Sequence, residues 1–485
     1  MLASEVHPFA KTGGLADVVG ALPQALTALG HEVRIGMPLY GSVDRRRFRL
    51  QPIQGVVTVA VGDRTWPCRI WTAPLPATTL PVYFIEQPEL FGRAHVYQLD
   101  GRDDPDNLLR FSVFCQAALA LIPHLRWQPQ VLHAHDWQTA LAVAHLAFGA
   151  VGRAPAFSSI STVFTIHNLA YQGLFPREQW PLTGLPESTF RIDRLEFYGQ
   201  INCLKGGLVG ADLLTTVSPT YSQEIQTKEF GCGLEGVLQT RRGRLTGILN
   251  GIDPQEWNPQ TDPHLPAHFS ADRLAGKSIC KRTLQQRQSL PTQPNILIGM
   301  IQRLVDQKGI DVFLDALPAL MALPIQVVVL GTGDRRYHEQ FTQAQQRYAD
   351  RLSVTLAFDN GLAHLIEAGA DAFLMASRFE PCGLNQMYSM RYGTVPMVRR
   401  VGGLADTVVD LQARELATGL VFESADPASL TEAVRRAVVA FRDQRVWRAL
   451  MQQGMRQDWS WDRSARRYVE VYRQAMATRH GQGVG

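Results

Sequence analysis

Short apolar runs alternate with amphipathic stretches along the whole chain. In the first half the runs are EVRIGM (32–37), VVTVAV (56–61), VYFIE (82–86), QVLHAH (130–135), STVFTIH (161–167) and DLLTTVS (212–218). In the second half they are NILIGMI (295–301), IQVVVLG (325–331), LSVTLAF (352–358), DAFLMAS (371–377) and TVPMVRR (394–400). Several lack the every-other-residue polarity of a half-exposed strand, which is the pattern of strands buried on both faces of a parallel sheet. Strand–helix alternation in both halves therefore predicts two doubly wound α/β domains. Residues 51–91 differ, with short strands close together and interspersed prolines, and read as a hairpin insertion in the first domain.

The stretch LNGIDPQEWNPQTDPHLP (249–266) is dense in Pro, Asn and Asp and marks the boundary, giving domains 1–252 and 253–455. Asp426 before Pro427 predicts a helix start, followed at helical spacing by Leu430, Val434, Ala437, Val438 and Phe441. A last segment, 456–485, carries Trp461, Ala465, Tyr468, Val469 and Tyr472 on one helical face and is expected to cross back to the first domain.

Composition narrows the class. Of 485 residues, 45% are hydrophobic and 19% charged, which fits a globular protein with large cores. A formal net charge of +4 does not support a nucleic-acid partner; the basic run RRRFR (45–49) reads as a solvated surface stretch. No apolar run is long enough to span a bilayer and the start has no signal-peptide character, so no membrane partner is expected and the cytoplasm is the expected compartment. The six cysteines, at 68, 115, 203, 232, 280 and 382, include no CxxC pair and read as reduced thiols.

The pentapeptide GGLAD occurs at 13–17 and again at 402–406, each time as a glycine pair opening a helix. Such an end offers backbone N–H groups to an anion. Lys11 precedes the first pair, and Arg303 and Lys308 follow a strand of the second half, where open α/β sheets bind ligands. Two cations there suit a diphosphate. Glu380, Cys382, Gly383 and Asn385 cluster after another strand, and an acid there can accept hydrogen bonds from sugar hydroxyls or cap the next helix. His133, His135, Asp136 and Trp137, and His167, Asn168 and Tyr171, end strands of the first half. They lack a recognised metal-ligand spacing and read as sugar-site lining or as satisfied buried polar groups, so no metal is expected. The acid pair at Asp104 and Asp106 reads as a loop. GTG at 331–333 lacks the third glycine of a dinucleotide fingerprint, which is Arg336 here, and this argues against a nicotinamide enzyme.

In order along the chain, KTGGLADV, HAHDW, TIHNLAYQG, TVSPTY, GILNGID, RLVDQKG, SRFEPCGLNQM and GGLADTV resemble the bacterial and plant glycogen/starch synthases. The resemblance implies two Rossmann-like domains facing a cleft, the GT-B glycosyltransferase fold. It also implies transfer of glucose from ADP-glucose to the non-reducing end of an α-1,4-glucan with retained configuration, and no cofactor. By the family's pattern Lys11, Gly13 and Gly14 would meet the donor's phosphates with Asp17 close by, and Arg303 and Lys308 would hold the same phosphates. Glu380 and His167 would reach the glucose. Asp136, Asn168 and Asn250 would line the cleft, Cys382, Gly383, Leu384 and Asn385 would approach the donor, and Phe358 would stack on adenine. UDP-glucose as donor, and a glucan-binding protein without catalysis, remain open. Oligomeric state is not specified.

Three departures stand out. Only Met1, Leu2 and Ala3 precede SEV where the family has a longer first strand, so either the start lies upstream or the central sheet lacks part of a strand. Ala376 stands where the family tends to have proline. Tyr388 occupies the position of a second glutamate in related retaining transferases, as is usual in the synthases.

Overall fold

The computed structural model describes residues 1–99 and 102–481; the end of the expected segment 456–485, residues 482–485, lies outside them. The chain forms two compact units. The first comprises Met1–Val217, Ser222–Gly251 and the segment from Trp461; the second comprises Ser218–Tyr221 and Ile252–Ser460.

In the first unit, α1 (Gly14–Ala28) precedes strands β1 (Ile35–Pro38), β2 (Gln51–Val61), β3 (Arg64–Pro74) and β4 (Pro81–Glu86). Helix α2 (Asn107–His124), β5 (Val131–His135), α3 (Trp137–Phe148), β6 (Ser161–Ile166), α4 (Cys203–Gly210), β7 (Leu213–Thr216) and β8 (Leu245–Gly247) follow. The strands form two four-stranded runs, β8-β7-β6-β5 and β1-β4-β3-β2. Leu2 joins them as a one-residue parallel bridge, pairing with Ala134 of β5 and with Gly36 of β1. Its N–H donates to His133 O (2.8 Å), and the Ala3 N–H donates to Gly36 O (3.1 Å). The run before Lys11 is thus anchored between two buried strands by single residues.

Within residues 51–91, β2 and β3 form an antiparallel hairpin that turns at residues 62–63. β4 is parallel to β1 and antiparallel to β3, so this hairpin forms the edge of the central sheet. The length of β2 was hidden by a register shift between Pro52 and Val56, which breaks the alternation that Val57, Val59 and Val61 then show.

The second unit carries α5 (Ala275–Arg287), β9 (Ile296–Ile301), α6 (Ile310–Leu320), β10 (Ile325–Leu330), α7 (Arg335–Arg347), β11 (Leu352–Thr355), α8 (Asn360–Gly369) and β12 (Ala372–Met375). These are followed by α9 (Asn385–Arg391), β13 (Val395–Arg399), α10 (Gly402–Thr407), β14 (Leu420–Phe422), α11 (Pro427–Arg442) and α12 (Gln444–Met455). Among the described residues its sheet is six-stranded and parallel, in the order β11-β10-β9-β12-β13-β14. Its core gathers Ile298, Met300, Val327, Val329, Leu374 and Met397 under Phe313, Leu317, Val434 and Ala437. Asp426 caps α11, accepting from the Ser429 N–H at 2.9 Å, with Pro427 in the first turn. The apolar run 352–358 is strand only to Thr355, which leaves Phe358 outside the sheet.

Helix α13 (Trp461–Gly481) belongs to the first unit. Its Trp461, Ala465, Tyr468 and Val469 pack against Val18, Leu22 and Leu26 of α1 and against Val163 and Leu213.

Candidate active site

The expected site residues divide between the two units, Lys11 to Asn250 in the first and Arg303 to Asn385 in the second. In the first, Lys11 and the glycine pair form the loop entering α1. No N-cap side chain serves this helix. Glu5, not singled out from the sequence, holds the loop before the helix. Its carboxylate accepts from the Thr12 N–H, from Thr12 Oγ1 (2.7 Å), from the Gly13 N–H (3.3 Å) and from Tyr97 Oη (2.5 Å). Burial pushes the Glu5 carboxyl above its ordinary range, against the pull of those donors. The Gly13 N–H, expected to face phosphate, is thus engaged by Glu5 here. Lys11 pairs with Asp17 at 2.6 Å. With side chains 43% and 25% exposed, this pair is worth about 0–1 kcal/mol. Asp17 also lies in the first turn of α1, where a negative charge suits the helix dipole.

Asp136 and His167 follow directly on the parallel strands β5 and β6, which brings them together. Asp136 Oδ1 accepts the His167 N–H at 2.7 Å, and Asn168 Oδ1 accepts the Ala170 N–H at 3.0 Å. Asp136 is buried and its carboxyl is pushed up to about 7 by desolvation, opposed by backbone donors at His167 and Asn168. Its backbone sits at φ 58°, ψ 179°. A non-glycine residue pays roughly 1–3 kcal/mol for such a conformation, and strain of this kind clusters at functional sites. Asn250 is buried, and its Oδ1 has no partner among the described residues. An orphaned buried acceptor marks a place for a ligand group or water.

In the second unit, Glu380 lies in the loop after β12, 7% exposed, with its Oε2 accepting from Lys308 Nζ at 2.5 Å and from Ser377 Oγ at 2.8 Å. Lys308 is itself only 15% exposed. The second GGLAD stretch supports this loop: the Gly403 N–H donates to Glu380 O at 3.1 Å. A Cβ on Gly402 would lie 1.9 Å from Glu380 O, and one on Gly403 would lie 2.1 Å from Cys382 O. These glycines therefore let two backbones touch. GTG at 331–333 works the same way, since added Cβ atoms would lie 2.0 Å from Gln302 O and 2.3 Å from Leu304 O, on either side of Arg303. Arg303 is exposed. Cys382 is buried, Leu384 precedes α9, and Asn385 Nδ2 donates to Ile301 O at 2.6 Å, tying α9 to the end of β9. Phe358 is 86% exposed, a bare ring at the surface. Tyr388 stacks on Trp257, whose ring also stacks on His364, with centroids 3.9 and 4.1 Å apart. Asp104 and Asp106 are both bound by Arg93, an ion-paired loop.

The family description "Starch synthase catalytic domain" matches residues 1–240, and "Glycosyl transferases group 1" matches residues 281–443. A glycogen synthase of Anaeromyxobacter dehalogenans is 51% identical over 474 residues, covering 97% of this chain and 98% of that one. The chain is a member of the glycogen/starch synthase family. Glycogen synthase 1 of Methylococcus capsulatus is 48% identical over 486 residues, 98% of this chain and 96% of that one. The catalytic domain of starch synthase IV from Arabidopsis thaliana, bound to ADP and acarbose, superposes with a TM-score of 0.91 at 35% identity over 98% of each chain. The synthase fold is thus the GT-B glycosyltransferase fold. Sucrose-phosphate synthase from Thermosynechococcus elongatus shares that fold, with a TM-score of 0.61 at 17% identity.

Proposed function

We propose that the protein is a glycogen synthase that transfers glucose from ADP-glucose to the non-reducing end of an α-1,4-glucan with retention of configuration. The single observation that carries this reading is full-length similarity at 51% identity to a glycogen synthase, with ADP bound in the structurally similar starch synthase IV. Breaking the bond from glucose C1 to a diphosphate builds negative charge on the leaving group and positive charge on the ring. Fixed cations at the leaving oxygens are the natural catalyst. Lys11, Arg303 and Lys308 fill that role, with the N-terminus of α1, and Gly13, Gly14 and Asp17 shape the approach. Two unit charges about 4 Å apart interact by about 4 kcal/mol at an effective dielectric near 20, enough for lysine and arginine to serve without a metal.

The two lysines are held differently. The exposed Lys11–Asp17 pair is weak, so Lys11 can leave Asp17 for a phosphate. Lys308 is held in a buried pair and fixes the Glu380 carboxylate. Glu380 stabilises the ring and its hydroxyls, and His167 contacts the sugar. Asp136, Asn168 and Asn250 line the sugar site, with Asn250 Oδ1 ready to accept a hydroxyl. Cys382, Gly383, Leu384 and Asn385 border the donor, and Phe358 stacks on adenine. The acceptor hydroxyl attacks from the leaving-group side and its proton passes to the departing phosphate, so no covalent bond to Glu380 forms. Among the described residues no helix is long and apolar enough to cross a membrane. All six cysteines are free thiols, which supports a reducing, cytoplasmic setting. Incubation with maltoheptaose and either ADP-glucose or UDP-glucose tests the reading. α-1,4-Elongated product from ADP-glucose is expected; elongation from UDP-glucose alone, or none from either, would overturn it.

A further inference from the structure

Three imidazoles line up in the first unit. Helix α13 supplies Tyr472, whose Oη lies 2.8 Å from His133 Nδ1. His133 Nε2 lies 2.6 Å from Thr165 Oγ1, which is itself 2.6 Å from Thr215 Oγ1. The His133 ring lies against His135, tilted by 34°, with centroids 4.1 Å apart. His135 Nδ1 then meets His167 Nε2 at 3.0 Å. The order follows from register: His133 and His135 share one face of β5, and parallel pairing sets His135 beside Thr165, two residues before His167.

From this chain of contacts we propose that His135 is the positioning residue for His167, donating Nδ1–H to His167 Nε2 and so holding His167 as the neutral Nδ1–H tautomer, with Nδ1–H as its remaining donor for a sugar oxygen. The role rests on the glucosyl-transfer reading; the tautomer does not.

Two observations fix the direction of the bond. Burial drives all three histidines well below their ordinary value, His167 to about 3, so each ring is neutral and carries one proton. His135 Nε2 is buried and has no partner among the described residues. If His135 carried its proton on Nε2, a buried N–H would point at nothing, and orphaned N–H donors are rarer than under-satisfied acceptors. With the proton on Nδ1, only a lone pair is left bare. Contact with the His133 ring, itself held at both nitrogens, restrains the His135 ring.

The test uses the native protein and four variants. In the native enzyme labelled with ¹⁵N-histidine, the long-range ¹H–¹⁵N pattern of His167, assigned by its loss in His167→Gln, should be that of an Nδ1–H tautomer. An Nε2–H pattern overturns the proposal, and this reading needs neither activity nor a folded His135 variant. His135→Phe keeps the ring volume but removes the donor and should lower kcat about a hundredfold with little change in KM for ADP-glucose, the size of loss expected from a small misplacement of a catalytic group. His135→Asn puts a carboxamide where Nδ1 was and should recover most of kcat; His135→Gln, which reaches toward Nε2, should not. Native kcat in His135→Phe, or equal rescue by Asn and Gln, would sink the positioning role. Failure of the native enzyme to use ADP-glucose would instead defeat the proposed function and leave the tautomer result standing.

Discussion

Replacing Lys308 with methionine leaves the Glu380 carboxylate, 7% exposed, without its cation. Removing one partner of a buried ion pair costs about 3–5 kcal/mol, because the remaining charge stays buried and uncompensated. Ser377 Oγ still donates at 2.8 Å, and a hydrogen bond to a charged group offsets about 1.5–3 kcal/mol of that penalty. The net expectation is a loss of about 2 kcal/mol, read as a lower urea midpoint. If Lys308 also meets the leaving phosphate, kcat/KM loses up to about 4 kcal/mol of transition-state stabilisation, close to a thousandfold. The double variant Lys308→Met/Glu380→Gln separates the two effects. With neither charge present, stability should return to near the native value, whereas activity should stay lost. The assay is a double-mutant cycle on urea midpoints beside initial rates with maltoheptaose. A single variant that unfolds at the native midpoint, or a double variant no more stable than the single one, would contradict this.

Further outcomes follow from other residues. Phe358→Ala should raise KM for ADP-glucose by about tenfold and leave kcat nearly unchanged, since stacking of a base on an aromatic ring contributes about 1–3 kcal/mol; an unchanged KM would remove adenine from this ring. Asp136 is held at about 7 against an ordinary 3.8, so the fold favours its neutral form. Its contribution to stability is full below about pH 4 and is lost as pH rises through 7. Asp136→Asn should therefore be more stable than the native protein at pH 8, by a margin that shrinks toward pH 4, and should be less active; thermal melts across that range check the sign. Glu5→Ala frees the Thr12 and Gly13 N–H groups and should raise KM for ADP-glucose by loosening the loop that carries Lys11; unchanged kinetics would show that the loop holds its shape without Glu5.

Features that depend on local periodicity were legible in the chain. The double-faced apolar runs of β6, β9 and β10 read as buried parallel strands, the Asp426–Pro427 pair marked the start of α11, and Trp461 to Tyr472 marked the buried face of α13. Features set by close tertiary approach were not. Nothing local to Glu5 reveals that its carboxylate serves the loop at residues 12 and 13. The two glycine-rich stretches, 402–403 and 331–333, read as ligand-facing or as a failed dinucleotide fingerprint, yet both are used for backbone against backbone. The strained φ of Asp136 and the bond from His135 to His167 depend on how β5 and β6 align, and no single segment encodes that alignment. β8 and β14 are three-residue edge strands, too short to show a period.

Protein cations, and not a metal, are proposed to carry the charge of a departing ADP. Initial rates with ADP-glucose and maltoheptaose in excess EDTA, for the native enzyme and for Lys11→Ala, test it directly. An undiminished native rate in EDTA is expected, with kcat/KM at least a hundredfold lower in a Lys11→Ala protein that melts like the native one, at about 1.4 kcal/mol per factor of ten. A native rate abolished by EDTA and restored by Mg²⁺, or a fully active Lys11→Ala enzyme, would contradict it.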